Sequence, residues 1–119
     1  MAKPDSDRTR RIAELIQTTL ANLLQVAADQ RFQMVTIISV SVTRDLSFAR
    51  IYVTLLNENE AKKTIVALNK AAAYFRYHLA QAIELRVMPT LKFFYDDSVV
   101  RGSYISSLIS QATKNLPDE

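Results

Sequence analysis

The sequence has no cysteine and no tryptophan, and only one glycine, one histidine and three prolines in 119 residues. Without cysteine there is neither a disulfide framework nor a thiolate zinc site, so a cytoplasmic home is permitted. A single glycine, Gly102, leaves no room for a glycine-rich phosphate loop. The lone histidine, His78, has no partner for a metal site and no cysteine to activate, and reads as a surface or half-buried helix residue. No apolar run approaches the ~20 residues that a membrane-spanning helix needs. The start, MAKPDSDRTRR, is polar with no apolar signal core behind it. The chain therefore reads as soluble and unexported, with no membrane partner.

A further absence is local. No acidic residue occurs from Ala61 to Ile83, yet that stretch carries Lys62, Lys63, Lys70 and Arg76. The overall net charge of +3 is mild, so placement matters more than the total. A cationic field on one element favours phosphate partners; a solvated helix face carries the same pattern. The first eleven residues add Lys3, Arg8, Arg10 and Arg11 against Asp5 and Asp7.

What is present suffices for one ordinary domain. Hydrophobic residues make up 49% of the chain, enough for a core. Residues 10–28 place Ile12, Leu15, Ile16, Leu20, Leu23, Leu24 and Ala27 at helical spacing. The period then becomes two. Ile38, Val40 and Val42 alternate with Ser39, Ser41 and Thr43. Ala49, Ile51, Val53 and Leu55 alternate with Arg50, Tyr52 and Thr54. The RDLS between these strands predicts a hairpin with Asp45 bonding the turn backbone. Asn57 and Glu60 resemble a capping box, so a helix is expected from Glu58. Its stripe is Ile65, Leu68, Ala72, Phe75, Leu79 and Ala82 or Ile83, running to about Arg86. TLKFFYD reads as a third strand after Pro89. GSYISSLISQAT reads as a short closing helix, and Leu116–Glu119 should fray.

The long helical region is a poor fit as one rod. At 1.5 Å per residue, residues 58–86 would span about 43 Å, against a radius of gyration of ~13–14 Å for a compact domain of this size. A break or bend near residues 71–74 lets both halves pack on one sheet face. It falls at Ala71, Ala72 and Ala73, where small side chains admit a backbone or a phosphate, and where a new helix start offers N–H groups to an anion. A small-residue packing contact with the N-terminal helix would use the same alanines.

RTRRIAELIQ (8–17), SVTRDLSFARIYVTLL (41–56), LNKAAAYFRYHLAQAIELRVMPTLKFFYDDS (68–98) and GSYISSLI (102–109), in that order, resemble the bacterial ribosome-binding factor A family. The resemblance implies an α+β, type II KH-like fold: a three-stranded sheet with helices on one face, in the order α-β-β-α-(break)-α-β-α(short). The expected organisation is a flexible basic arm over 1–9, one KH-like domain over 10–110 and a tail over 111–119. The usual KH Gly-x-x-Gly loop is replaced in this family by an Ala-x-Gly break. Ala73 stands here in place of that glycine, and Gln30 stands where proline is common.

The implied function is non-enzymatic and needs no cofactor. It is binding of the 30S subunit and its 16S rRNA in late maturation, with formation of the mature 5′ end and importance in the cold. A ribosome-maturation GTPase is a candidate further partner, and the expected state is a monomer. The candidate RNA contacts are Lys62, Lys63, Lys70 and Arg76, with Ala72 and Ala73 at the break, Arg8, Arg10 and Arg11 in the arm, and Arg44 and Arg50 in the hairpin. Arg44 could instead pair with Asp45, and the arm could merely solubilise. Tyr74 and Tyr77 could stack on bases, although a helix tyrosine more often buries its ring. Asp96 and Asp97 point to opposite sides of a strand end and suit no joint acid–base work. The other reading is an adaptor whose basic helix docks an acidic protein without touching RNA.

Overall fold

The computed structural model describes residues 4–98 together with residues 108 and 109. The expected closing helix and tail lie almost wholly outside the described residues; Leu108 and Ile109 are helical. The elements run α1 (Pro4–Gln25), α2 (Gln30–Gln33), β1 (Thr36–Val42), β2 (Phe48–Thr54), a 3-10 turn (Glu58–Glu60), α3 (Ala61–Lys70), α4 (Ala72–Ala82) and β3 (Thr90–Tyr95). The architecture is α+β. No described helix is long and apolar enough to cross a membrane.

The sheet has the order β1-β2-β3, with β1 antiparallel and β3 parallel to β2. Ala49, Ile51 and Val53 of the central strand are fully buried, flanked by Leu91 and Phe93 of β3. On β1 the register slips between Ile37 and Ser39, so that Ile37 faces Val53 while Val40 faces Ile51. This bulge corrects the expected alternation: Ile37, with Val40 and Val42, packs on the core where strict period two would place Ile38.

Of the described helices, α1, α3 and α4 pack on that one face and α2 packs against α1 and α3. On α1, Ile12, Ile16, Leu20 and Leu24 recur every four residues and are buried, while Leu15 is 47% exposed. The helix begins at Pro4 and ends at Gln25, earlier at both ends than the 10–28 apolar spacing. The short α2 escapes any periodicity. Asp29 caps it by accepting the Arg31 N–H at 2.9 Å, and its Phe32 is buried. Gln30 is its first residue, a position that suits proline because the N–H there has no helical partner.

The long helical region is broken, as its length requires. Asn57 does cap, but by accepting the Asn59 N–H over a 3-10 turn, so α3 starts only at Ala61. α3 ends at Ala71, whose φ of −91° and ψ of 3° lie between the helical and extended basins. Its N–H closes α3 on the carbonyls of Ala67 and Leu68, and its own carbonyl accepts the Phe75 N–H of α4 at 3.0 Å. No positive φ is used, and Ala73 lies inside α4. The break therefore needs no glycine. α4 stops at Ala82, short of Arg86, because Ile83 is already extended.

Phe75 is the hub of the packing, edge-on to Phe32 at 5.6 Å and to Phe93 at 6.0 Å. One aromatic ring thus joins α2, α4 and β3. Thr64, fully buried on α3, has a hydroxyl with no hydrogen-bond partner among the described residues.

The hairpin is fixed by Asp45. Its Oδ1 accepts Thr43 Oγ1 at 2.8 Å, Ser47 Oγ at 2.7 Å and the Ser47 N–H at 3.1 Å. Leu46 takes the left-handed conformation, φ 62°, which costs a leucine about 1–2 kcal/mol. Packing of its side chain against the core offsets this. The hydrogen bonds from Ser47 and Thr43 hold the Asp45 pKa below its ordinary value. A carboxylate depressed by folding contributes stability that is present above its unfolded pKa and is lost as pH falls through the folded one. Asp45→Ala should therefore lower the melting temperature at neutral pH. The gap to wild type should shrink once Asp45 is protonated, which melts across the acid range would show.

Candidate nucleic-acid interface

Lys62, Lys63, Val66, Ala67 and Lys70 line one shallow groove along α3, joined by Arg31 from α2. Helical spacing produces this. Residues 62 or 63, 66 or 67, and 70 recur at three to four positions and share a face. None of the three lysines has an ion-pair partner among the described residues. Arg31 differs. Its Nε and Nη2 donate to Asp29 at 3.1 and 2.7 Å, which lowers the Asp29 pKa and raises its own. Much of its charge is already answered.

Lys70 also lines a second groove with Asn69, Ala72, Ala73, Arg76, Thr90 and Leu91. It is the junction between the lysine face and the break. No side chain caps the first turn of α4, so its leading N–H groups lie beside Lys70 without a carboxylate on either helix. A helix N-terminus beside cations is an arrangement that favours an anion.

Two polar clamps set this geometry. The Asn69 amide donates to the Phe93 carbonyl at 3.1 Å, and its Oδ1 accepts the Phe93 N–H at 2.8 Å. It satisfies the outer edge of β3 and ties the end of α3 to it. Arg76 ties α4 to the approach to β3. Its Nη2 donates to the Met88 carbonyl at 2.7 Å, and its Nε to Met88 and Pro89, each at 3.2 Å. Arg76 is thus a structural clamp, which sets it apart from the lysines with which the charge pattern groups it.

The remaining candidates are spread out. Arg8, Arg10 and Arg11 lie exposed on α1, with Arg10 near Asp7 at 3.4 Å. Arg10 lines a separate groove against β1. Arg44 is exposed at the hairpin and forms no ion pair with Asp45 among the described residues. Arg50 stands on the sheet face opposite the helices, 5.9 Å from the Phe48 ring centroid. Tyr74 and Tyr77 are 58% and 62% exposed, against the expectation that such rings bury. They meet His78 edge-on at 4.3 and 5.3 Å. Sequence reasoning passed over Arg31 and Lys92. Lys92 carried a signal, since it alternates with the buried Leu91 and Phe93. Among the described residues no group of His, Cys, Asp or Glu side chains could hold a metal.

The family model for ribosome-binding factor A matches residues 8–109. The ribosome-binding factor A of Nitrosococcus oceani is 43% identical over 113 residues, covering 93% of this chain and 89% of that one. That of Chromohalobacter salexigens is 47% identical over 109 residues, covering 88% and 83%. Among solved structures, the crystal structure of ribosome-binding factor A from Thermus thermophilus is similar, with a TM-score of 0.65 at 25% identity, covering 73% of this chain and 94% of that one. The solution structure of the Thermotoga maritima protein, a putative ribosome binding factor A, has a TM-score of 0.63 at 28% identity, covering 79% and 91%.

The clamp and the lysines should separate by stability. Arg76→Ala leaves the Met88 and Pro89 carbonyls unpaired and should destabilise the fold by about 1–3 kcal/mol. Replacing Lys62, Lys63 and Lys70 together should change it by no more than about 1 kcal/mol. Urea unfolding of the two variants measures both.

Proposed function

The chain belongs to the ribosome-binding factor A family, and on that premise we propose that it binds the small (30S) ribosomal subunit through 16S rRNA, with the α3 lysines and the start of α4 as its main phosphate grip. One observation carries this reading: Lys62, Lys63 and Lys70 share a groove that leads to an uncapped helix start, with no acidic residue on α3 or α4. Charge and helix dipole then act on the same phosphates. Ala72 and Ala73 let the RNA backbone approach closely. Arg8, Arg10, Arg11 and Arg44 are accessory contacts elsewhere on the molecule.

The finer roles come from the resemblance. The protein acts in the cytoplasm, as a monomer and without catalysis, late in subunit maturation. It assists formation of the mature 5′ end, above all in the cold, and a maturation GTPase is a candidate partner in its release. The fold is read as type II KH-like, with the helix break where other KH domains carry a glycine loop.

The triple variant Lys62→Ala, Lys63→Ala, Lys70→Ala should bind small subunits more weakly. Its dependence of log affinity on log salt should be shallower by roughly 0.7–0.9 for each phosphate no longer held. Arg76 is left intact because its loss would disturb the fold. The same titration on naked 16S rRNA separates RNA binding from an adaptor that docks an acidic protein. A folded variant with unchanged affinity and slope contradicts the assignment of the grip. Wild type that binds subunits but not rRNA favours the adaptor.

A further inference from the structure

The sheet has a second face, turned away from the helices. It carries Phe48, Arg50, Tyr52 and Thr54 of β2, Thr90, Lys92 and Phe94 of β3, and Ser39 and Ser41 of β1, and none of these belongs to the core. Beside hydroxyls, it carries three rings and two cations. The register sets Tyr52 beside Phe94 and Arg50 beside Lys92. The two rings stack, with centroids 5.5 Å apart and planes 26° from parallel.

Arg50 and Lys92 occupy neighbouring strands, about 4.8 Å apart at the backbone. Like charges placed so destabilise a sheet, and no strand contains an acidic residue to relieve them. Their side chains diverge. Arg50 leans back over Phe48 at 5.9 Å, and Lys92 leans forward over Phe94 at 5.5 Å. An anion between them would remove the repulsion. On the β1 side of Tyr52 the paired residue is Ser39, and beside Arg50 it is Ser41. Ser39 and Ser41 are small and exposed, and the half-buried Ile38 at the bulge, outside the core cluster, precedes Ser39.

We propose that this face is a second RNA surface, which takes an extended single strand by stacking a base against the Tyr52–Phe94 pair and holding the flanking phosphates with Arg50 and Lys92. It rests on the reading that the protein works on RNA, and it adds a separate surface with its own ligand class. A duplex keeps its bases inside and cannot stack here, whereas unpaired bases stack readily on aromatic side chains. A docked protein helix fits less well, because the face offers mainly rings, hydroxyls and cations.

The test uses the full chain, a short fluorescein-labelled single-stranded RNA and its duplex, read by anisotropy across a salt series. Single strand should bind more tightly than duplex. Tyr52→Leu with Phe94→Leu should weaken single-strand binding about tenfold or more, with an unchanged salt slope. Tyr52→Phe with Phe94→Tyr keeps both rings and should bind as wild type. Arg50→Gln with Lys92→Gln should flatten the slope by roughly 0.7 for each phosphate released. A leucine pair that melts and binds like wild type overturns the proposal, as does a ring-keeping pair that binds as poorly as the leucine pair. Should the leucine pair melt early, the glutamine pair decides, and an unchanged slope there overturns it. Small-subunit binding is measured alongside. If it persists while the sheet variants change nothing, only the second surface fails; if wild type lacks it, the underlying reading fails.

Discussion

Asn69 and Arg76 stand on either side of Ala71, and each spends its polar groups on the backbone of a single strand or its approach. Asn69 completes the open edge of β3 at Phe93, and Arg76 holds the carbonyls of Met88 and Pro89. Two helices are thereby pinned to one strand across a one-residue break. The rest follows from that constraint. Phe75 is brought edge-on to Phe93 and Phe32, which closes the core. The stripe of α3 and α4 stays on the sheet instead of overhanging it. The first turn of α4, freed by the break, comes to lie beside Lys70.

Packing α1, α3 and α4 on one face divides the molecule chemically. The buried side takes nearly all the aliphatic side chains of the strands, and the other side keeps rings, hydroxyls and two adjacent cations. With a net charge of only +3, the protein is not a general polycation. Cations gather on the α3 groove, on the outer sheet face and on the first turns of α1, and neither α3 nor the strands carry a carboxylate. On the proposed reading, phosphate affinity would depend on where a strand lies and not on charge alone.

Much of this was legible in the sequence, and the failures have physical causes. Alternation located β1 and β2, the TLKFFYD run after Pro89 read as β3, and length alone required a break that the alanines do not advertise. Period two could not reveal that the bulge puts Ile37 in the core in place of Ile38, since both are isoleucine. The four residues of α2 are too few for a helical period, although Asp29 before Gln30 was a usable cap signal. Asn57 and Glu60 had the spacing of a capping box, but the chain used Asn57 on a 3-10 turn. Arg76 shared the pattern of its lysine neighbours because its carbonyl partners lie twelve and thirteen residues away. The stack of Tyr52 on Phe94 depends on the parallel register of β2 and β3, which no local pattern encodes.

On the proposed reading, the broken helix presents its cations, together with the start of α4, to the RNA of the small subunit. Ultraviolet crosslinking of the full chain on small subunits, with the crosslinked peptides identified, tests it most directly. Adducts are expected on the peptides spanning residues 61–76, and on those containing Tyr52 or Phe94. Adducts confined to α1 or to the hairpin tip at Arg44, with none on the α3–α4 segment, would contradict it.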